Sequence, residues 1–464
     1  MGTGMSKCCA RTNQMGLLAL TVMTASNMMG SGVFMLPATL ARIGAISVWG
    51  WGVAFLAITA LALIFCKMSE LFPRNGGIIA SITASFGPFV GLQMTLFYWL
   101  STWIGNCALL LAGVGYLSYF FPALHNPLYG TSACIILLWL SVLWGLRGAK
   151  LVGYAQLFTG GCMVVVILSI GMLGWWHFDA GRYQMSWNVS NHSDLQAIIN
   201  AATISLWGFL GIESASVSFG QVKNPRRTVP LATLLGLAIA GLCYATSTNV
   251  MMGILPHDVL VNSSSPFADS AAAMWGKVAG SLISAMVVIA CLGAMPGWQI
   301  LQTEVPRAAA EDGLLPDFFA RINRHGVPWA GLVFTASLMT LLLLLTLSPD
   351  LQSQFKTIIT LAISASLLPY AFAAISLPVM MVINRQKKHT NFYCYCCLSF
   401  VALCFITLAL MTESSATVVW GIVLQLATLP LYLFYIARRH RQKNDVSETR
   451  PTKPSFSNLS KELS

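Results

Sequence analysis

Hydrophobic runs of about 20 residues recur along almost the whole chain, and they constrain its fold more than any other feature. A helix of about 20 apolar residues is long enough to cross the ~30 Å hydrocarbon core of a bilayer. Only 9% of the 464 residues are charged and 56% are hydrophobic, so a water-facing surface could not be built from them. Because a backbone in lipid must satisfy its own hydrogen bonds, the runs predict an all-α membrane protein.

Lys and Arg residues fall in short clusters between the apolar runs. With both termini inside, only Arg42, Arg182, Lys277 and Lys356 remain in the segments on the outer side, as the positive-inside rule requires. The sequence therefore predicts a multi-pass protein of the cell inner membrane with cytoplasmic termini and twelve helices, near residues 16–41, 46–70, 88–120, 130–146, 152–176, 195–220, 230–254, 278–303, 328–347, 356–384, 392–412 and 416–437.

Several other classes of protein are disfavoured. The net charge of +11 could suggest a nucleic-acid partner, but the basic residues do not follow one face, so we predict none. The group Cys394, Cys396 and Cys397 has no neighbouring His or acidic residue, which favours packing or lipid-facing thiols over a metal site. The predicted spans contain no paired acids and no nucleophile with a base, so we expect neither a cofactor nor an enzyme.

Two predicted helices contain glycine at their centres. The first carries Gly30-Ser31-Gly32, and the sixth carries Gly208 and Gly211. These positions are five helices apart, the pattern expected when two repeats of inverted topology bring broken helices face to face. The alternative is that the glycines only permit close helix packing. The matched pair favours breaks, whose freed N–H groups could bind a carboxylate.

Glu213 is the one acidic residue predicted to lie deep within a span, where a carboxylate costs at least ~2.5 kcal/mol. Its retention indicates a function, although a protonated Glu bonded to a helix carbonyl would also explain it. Trp207 lies nearby in the same helix, and Trp298 follows a break-prone segment of the eighth. Aromatic rings can hold a cationic ligand, although such Trp residues also serve as core or interface residues.

Five segments carry a resemblance to a known family. The chain resembles the basic amino acid and polyamine antiporters of the amino acid, polyamine and organocation superfamily, through NMMGSGVFMLP at 27–37, YWLSTWIGN at 98–106, LWGFLGIESAS at 206–216, VKNPRRTVP at 222–230 and AEDGLLP at 310–316. The third-helix segment looks most like the arginine and agmatine antiporters. The segments STN at 247–249 and LSPDLQSQF at 347–355 look like the ornithine and putrescine antiporters.

The resemblance implies binding roles for both broken helices. Ser31 and Gly32 would hold the substrate carboxylate, and carbonyl groups near Trp207 and Leu210 would take the α-amino group. Trp207 would also stack on the substrate. Asn27, which begins the first of the five segments, is included among the substrate-binding candidates.

Other roles are implied for the third and tenth helices. Asn106, with the backbone near Ser101 and Thr102, would meet the distal cation of the substrate. The arginine antiporters carry Ala and Cys in place of Ser101 and Thr102, and Ser in place of Ala362. The missing hydroxyl at Ala362 weakens the case for a guanidinium substrate.

The resemblance also implies gates. Tyr98, Glu213 and Tyr370 would form an outer gate, with Glu213 coupling its movement, and Trp298 would form a middle gate. No metal ligand is implied.

The expected function is exchange of a cationic amino acid for its decarboxylated amine, with arginine and agmatine first. Ornithine with putrescine, lysine with cadaverine, and proton-coupled uptake remain alternatives. The expected fold comprises a cytoplasmic segment 1–15, a ten-helix core 16–384 with repeats 16–176 and 195–384, two peripheral helices in 385–437 and a polar tail 438–464. The expected partners are small cationic substrates and the lipid bilayer, and a homodimer is one possible assembly.

Overall fold

The computed structural model describes residues 16–72, 77–147, 149–213, 222–311, 313–384 and 391–412, together with eight positions between 423 and 437. Within these ranges the chain forms helices and turns without a β-strand. The α-helices are, in chain order, α1 Leu17–Met28, α2 Ser31–Ala41, α3 Ser47–Leu71, α4 Gly77–Phe86, α5 Pro88–Leu117, α6 Pro127–Gly145, α7 Ala149–Leu173, α8 Ala180–Met185, α9 Asp194–Leu206, α10 Pro225–Ile254, α11 His257–Asn262, α12 Pro266–Trp275, α13 Lys277–Glu311, α14 Trp329–Leu345, α15 Leu351–Ile383 and α16 Asn391–Met411.

Among the described residues, eight helical stretches are long and apolar enough to cross a membrane; they lie in α3, α5, α6, α7, α10, α13, α15 and α16. The pair α1 and α2, bent by 43°, makes a ninth span if it is counted as one. The prediction of an all-helical, multi-pass membrane protein is therefore confirmed.

The number twelve stays a prediction. The predicted ninth span corresponds to α14, which has only 17 residues. Residues 214–220 at the end of the predicted sixth helix, most of the twelfth, the segment 1–15 and the tail 438–464 lie outside the described residues.

The first break lies between α1 and α2. The helix α1 ends at Met28, and the tyrosine hydroxyl of Tyr244 on α10 donates to the Met28 carbonyl at 2.8 Å. This bond satisfies a carbonyl that has no partner at the end of a helix. Gly30 precedes α2 and offers no side chain to its first N–H groups. The start of α2 therefore retains the free donors predicted from the glycines.

The second break follows α9. A 3₁₀ turn at Trp207–Phe209 ends the helix, and Leu210 is extended. Gly211 has φ of +101°, which a residue with a Cβ rarely adopts, and an added Cβ would lie 3.0 Å from the Asn27 carbonyl oxygen. Glycine is therefore needed here both for the turn and for the close approach to α1.

The helix α5 runs through the centre of the molecule and packs against α13 and α15. At its Leu117 end it meets the short helices α11 and α12. The hydroxyl oxygens of Ser118 and Ser264 are 3.1 Å apart, and the backbone N–H of Phe267 donates to the Tyr116 hydroxyl at 3.1 Å. These short helices and the loops around them belong to the side that the charge pattern predicts to be external.

Candidate substrate site

A cavity with about 630 Å³ of empty space, part of it open to solvent, lies between the two breaks. It is lined by α1, α2, α5, α13, α15 and the turn that follows α9. Eleven of the thirteen residues predicted for the site line this one cavity: Asn27, Gly32, Tyr98, Ser101, Thr102, Asn106, Trp207, Leu210, Glu213, Trp298 and Tyr370. Segments far apart in sequence therefore meet where the resemblance implies a site.

Two predicted site residues stand apart. The backbone of Ser31 begins α2, but its side chain is not among those the structure describes. Ala362 is fully buried on α15 and does not line the cavity. Ser366 lines it instead, and the sequence analysis missed this residue. The available signal was its position four residues from both Ala362 and Tyr370, which places it on the same face of the helix.

One face of α5 forms a wall of the cavity. Tyr98, the pair Ser101 and Thr102, Asn106 and then Leu109 recur at intervals of three or four residues, the spacing of neighbours on a helix. From Tyr98 to Leu109 the helix rises by roughly 16 Å, at 1.5 Å per residue. The wall is therefore long enough to contact an extended chain along its length.

Trp207 lies across the cavity between two glycines. A Cβ added at Gly105 on α5 would be 2.8 Å from Cη2 of the indole, and one added at Gly32 on α2 would be 3.3 Å from Cδ1. Both helices thus leave room for the ring. The indole Nε1–H is buried and has no partner among the described residues, and it lies on the Gly32 side of the ring.

Glu213 is 5% exposed and is held by two tyrosines. The hydroxyl of Tyr98 on α5 donates to Oε1 at 2.7 Å, and the hydroxyl of Tyr370 on α15 donates to Oε2 at 2.9 Å. Hydrogen bonds of this length suit a carboxylate acceptor. The three predicted gate residues therefore form one cluster that joins α5, α15 and the second break.

The outer position predicted for this gate depends on the orientation of the chain in the membrane, which stays a prediction. Tyr98 lies eight residues nearer than Asn106 to Pro88, the end of α5 that is opposite α11 and α12. The cluster is therefore at the end of the cavity away from the loops predicted to be external. With the predicted orientation, the cluster would form a gate on the inner side of the cavity and not on the outer side.

The hydroxyl groups of the cavity wall point their protons at the backbone. Ser101 donates to the Tyr98 carbonyl at 2.8 Å, and Thr102 donates to the Trp99 carbonyl at 2.7 Å. On α15, Ser366 donates to the Ile363 carbonyl at 2.7 Å. A hydroxyl whose single proton is used in this way has only its lone pairs left for a ligand. These three groups are therefore acceptors.

Asn106 is buried and has a partner that the sequence analysis missed. Its Nδ2 donates to Oε1 of Gln302, a residue of α13 that is 1% exposed. Gln302 is a single polar residue in the eighth predicted span, and its spacing in the sequence did not indicate a contact with the third predicted span. The contact is visible only once α5 and α13 are packed together.

A cavity with a few polar groups beside two helix breaks of a multi-pass membrane protein is typical of secondary transporters. The chain belongs to the amino acid permease family, whose family model matches residues 15–436. This result confirms the resemblance found in the sequence and places the protein among membrane transporters.

Individual relatives are similar over almost their whole length. The chain is 35% identical to the cadaverine/lysine antiporter of Escherichia coli K12 over 438 residues, which is 93% of this chain and 96% of the relative. It is 33% identical to a putrescine transporter of Haemophilus influenzae over 428 residues, or 92% and 98% of the two chains. The putrescine transporter of Escherichia coli K12 is 31% identical over 427 residues, or 91% and 96%.

Proposed function

We propose that this protein exchanges a cationic amino acid for the amine formed by its decarboxylation, with lysine and cadaverine as the first pair and ornithine and putrescine as the second. The observation that carries the proposal is a buried cavity whose polar side chains are mostly acceptors around one carboxylate, Glu213.

An ammonium group has three N–H donors and no acceptor. Ser101, Thr102 and Ser366 direct lone pairs toward such a ligand, and Glu213 offsets its charge. A neutral or acidic amino acid has only its α-ammonium group as a cation, so acceptors at the other end of the cavity would be left without donors, which is costly in a buried site. The cavity therefore favours a substrate with two cationic groups, as diamines and basic amino acids have.

The amino acid also needs a place for its carboxylate. The first turn of α2 offers backbone N–H groups beside Gly32, and the unpartnered indole N–H of Trp207 lies next to them. Anions are stabilised at such a helix start. A diamine lacks the carboxylate and leaves these donors to water. Both members of an exchange pair can then use the same acceptors for their ammonium groups.

The proposed substrate pair differs from arginine and agmatine, which the third-helix segment favoured. The relatives named above carry lysine, cadaverine and putrescine in their names, which supports the ammonium alternatives over arginine and agmatine.

The transport cycle that we propose uses two inverted repeats of five helices, with two peripheral helices, both termini in the cytoplasm and the chain in the inner membrane. Tyr98, Glu213 and Tyr370 would form the gate on the inner side of the substrate, and Trp298 the middle gate. Exchange has a physical rationale. The amine leaves with one more positive charge than the amino acid brings, so each cycle removes the proton consumed by decarboxylation.

Proteoliposomes test the proposal directly. Vesicles loaded with unlabelled lysine, cadaverine, ornithine, putrescine, arginine or agmatine are given each labelled partner in turn. We expect uptake of labelled lysine only when a cationic substrate is inside, with cadaverine the best. Uptake into empty vesicles under a proton gradient would instead support proton-coupled transport. Equal exchange with arginine and agmatine would contradict the choice of pair.

A further inference from the structure

The orientation of the Asn106 amide is fixed from outside the cavity. An asparagine side chain can offer either its NH₂ donors or its carbonyl oxygen to a ligand, and the two choices select opposite chemistries. In this protein the choice depends on two residues that do not line the cavity, Gln302 on α13 and Met339 on α14.

Met339 determines how Gln302 is turned. The Gln302 Nε2 lies 3.7 Å from the thioether sulfur of Met339. A thioether is an acceptor and has no proton to give, so the end of the Gln302 amide that faces it is the NH₂ group. The carbonyl oxygen of Gln302 is then the end that faces α5.

Gln302 in turn determines how Asn106 is turned. The Gln302 Oε1 accepts a hydrogen bond from Nδ2 of Asn106, and both side chains are buried, at 1% and 4% exposure. A reversed Asn106 would set two carbonyl oxygens against each other where neither has water, which costs more than the lost bond alone. The Asn106 Oδ1 is therefore the end left for the cavity.

We propose that Gln302 is a positioning residue for substrate selection, which holds Asn106 so that a carbonyl oxygen receives the distal ammonium group of the substrate. Met339 supports it by fixing the Gln302 amide. The proposal rests on the proposed function, because it concerns the group that Asn106 meets on a dication.

The test uses two competitors of equal chain length. Cadaverine has two ammonium groups, and 1-aminopentane has the same five carbons with a hydrogen in place of the second ammonium group. Each competes with labelled lysine for uptake into proteoliposomes loaded with lysine. For the unchanged protein we expect cadaverine to compete at least tenfold better than 1-aminopentane. If cationic substrates are not exchanged at all, the proposed function itself fails.

Gln302→Leu removes the group that orients Asn106. We expect cadaverine to lose most of its advantage over 1-aminopentane, to less than threefold, because only the diamine uses the Asn106 oxygen. Gln302→Glu keeps an acceptor for Nδ2 of Asn106 and should retain more of the ratio. Met339→Leu should lower the ratio less than Gln302→Leu does.

Gln299 provides a matched control. It is a fully buried amide on the same helix, but its partner is Ser141, whose hydroxyl donates to Gln299 Oε1 at 2.5 Å. Gln299→Leu should keep the competitor ratio even if transport declines. A Gln302→Leu protein that exchanges lysine with the original ratio would overturn the proposal. If Gln302→Leu does not fold, an original ratio in Met339→Leu overturns it equally.

Discussion

The two ends of the cavity hold their acceptors in different ways. At one end the carboxyl group of Glu213 is held by tyrosine hydroxyls from α5 and α15. At the other end Asn106 is neutral and is held by an amide on α13. The end that contains Glu213 joins a helix break to two long helices, which is the arrangement expected of a group that couples their movement. The neutral end joins two continuous helices, which suits it to recognition of the substrate.

The largest effect is expected at the end that contains Glu213. Glu213→Gln keeps the size of the side chain but removes its charge and its titration. Two hydrogen bonds to a charged acceptor, at about 1.5 kcal/mol each, correspond to roughly a hundredfold slower exchange. We expect substrate binding to survive in part and the pH dependence of exchange to be lost, with Glu213→Asp retaining some of both.

Calorimetric binding and exchange rates measured from pH 5 to 8 on one folded species check this prediction. Glu70, which pairs with Lys67 at 3.0 Å on α3, provides the control, and Glu70→Gln should behave as the unchanged protein does. A Glu213→Gln protein with the original rate and pH profile would leave Glu213 with a structural role only.

The second prediction concerns Trp207, which lies between the two ends. Trp207→Leu removes a ring face worth about 2 kcal/mol to a desolvated cation, or roughly a 30-fold loss of affinity for lysine. Trp207→Phe and Trp207→Tyr keep a ring and should lose less. Calorimetry of the three proteins measures the difference. Equal losses of affinity in the three proteins would mean that Trp207 acts through packing. As controls, His177→Ala and His192→Ala, both at exposed positions, should leave the affinity unchanged.

A smaller effect is expected when the space beside that ring is filled. Gly105→Ala would place a Cβ 2.8 Å from the Trp207 ring, so the indole must shift. Overpacking of this kind costs about 1 kcal/mol or more, which predicts roughly a fivefold weaker binding of lysine and cadaverine alike. Gly161→Ala on α7 is the control, because no atom lies within 4 Å of the added Cβ. Unchanged binding in Gly105→Ala would show that the ring can move freely.

The same comparison explains what the sequence could and could not predict. Span lengths and glycine breaks follow from hydropathy and backbone freedom, so the helices and the residues at Gly32, Trp207 and Glu213 were placed together correctly. The partner of Asn106 was missed, because a single buried Gln302 has no periodicity that pairs it with another helix. A motif gives no position along the helix axis, so the side of the membrane on which the gate lies could not be derived from it.

The smallest effect is expected at Ala362, where the sequence predicted that a serine would shift preference toward guanidinium substrates. The structure gives a reason for a weaker result. Ala362 is fully buried off the cavity wall, and a serine within a helix commonly donates to the carbonyl four residues earlier, here that of Ile358. We expect Ala362→Ser to change the competition between arginine and lysine by less than about twofold, well under one kcal/mol.

Ser366→Ala, one turn further along α15, should change that competition more, because Ser366 lines the cavity and its lone pairs face the substrate. Both variants are measured by competition of arginine and lysine against labelled cadaverine. A larger shift at Ala362 than at Ser366 would mean that α15 rotates during the transport cycle. Position 362, which is buried in this structure, would then contact the terminal cationic group of the substrate.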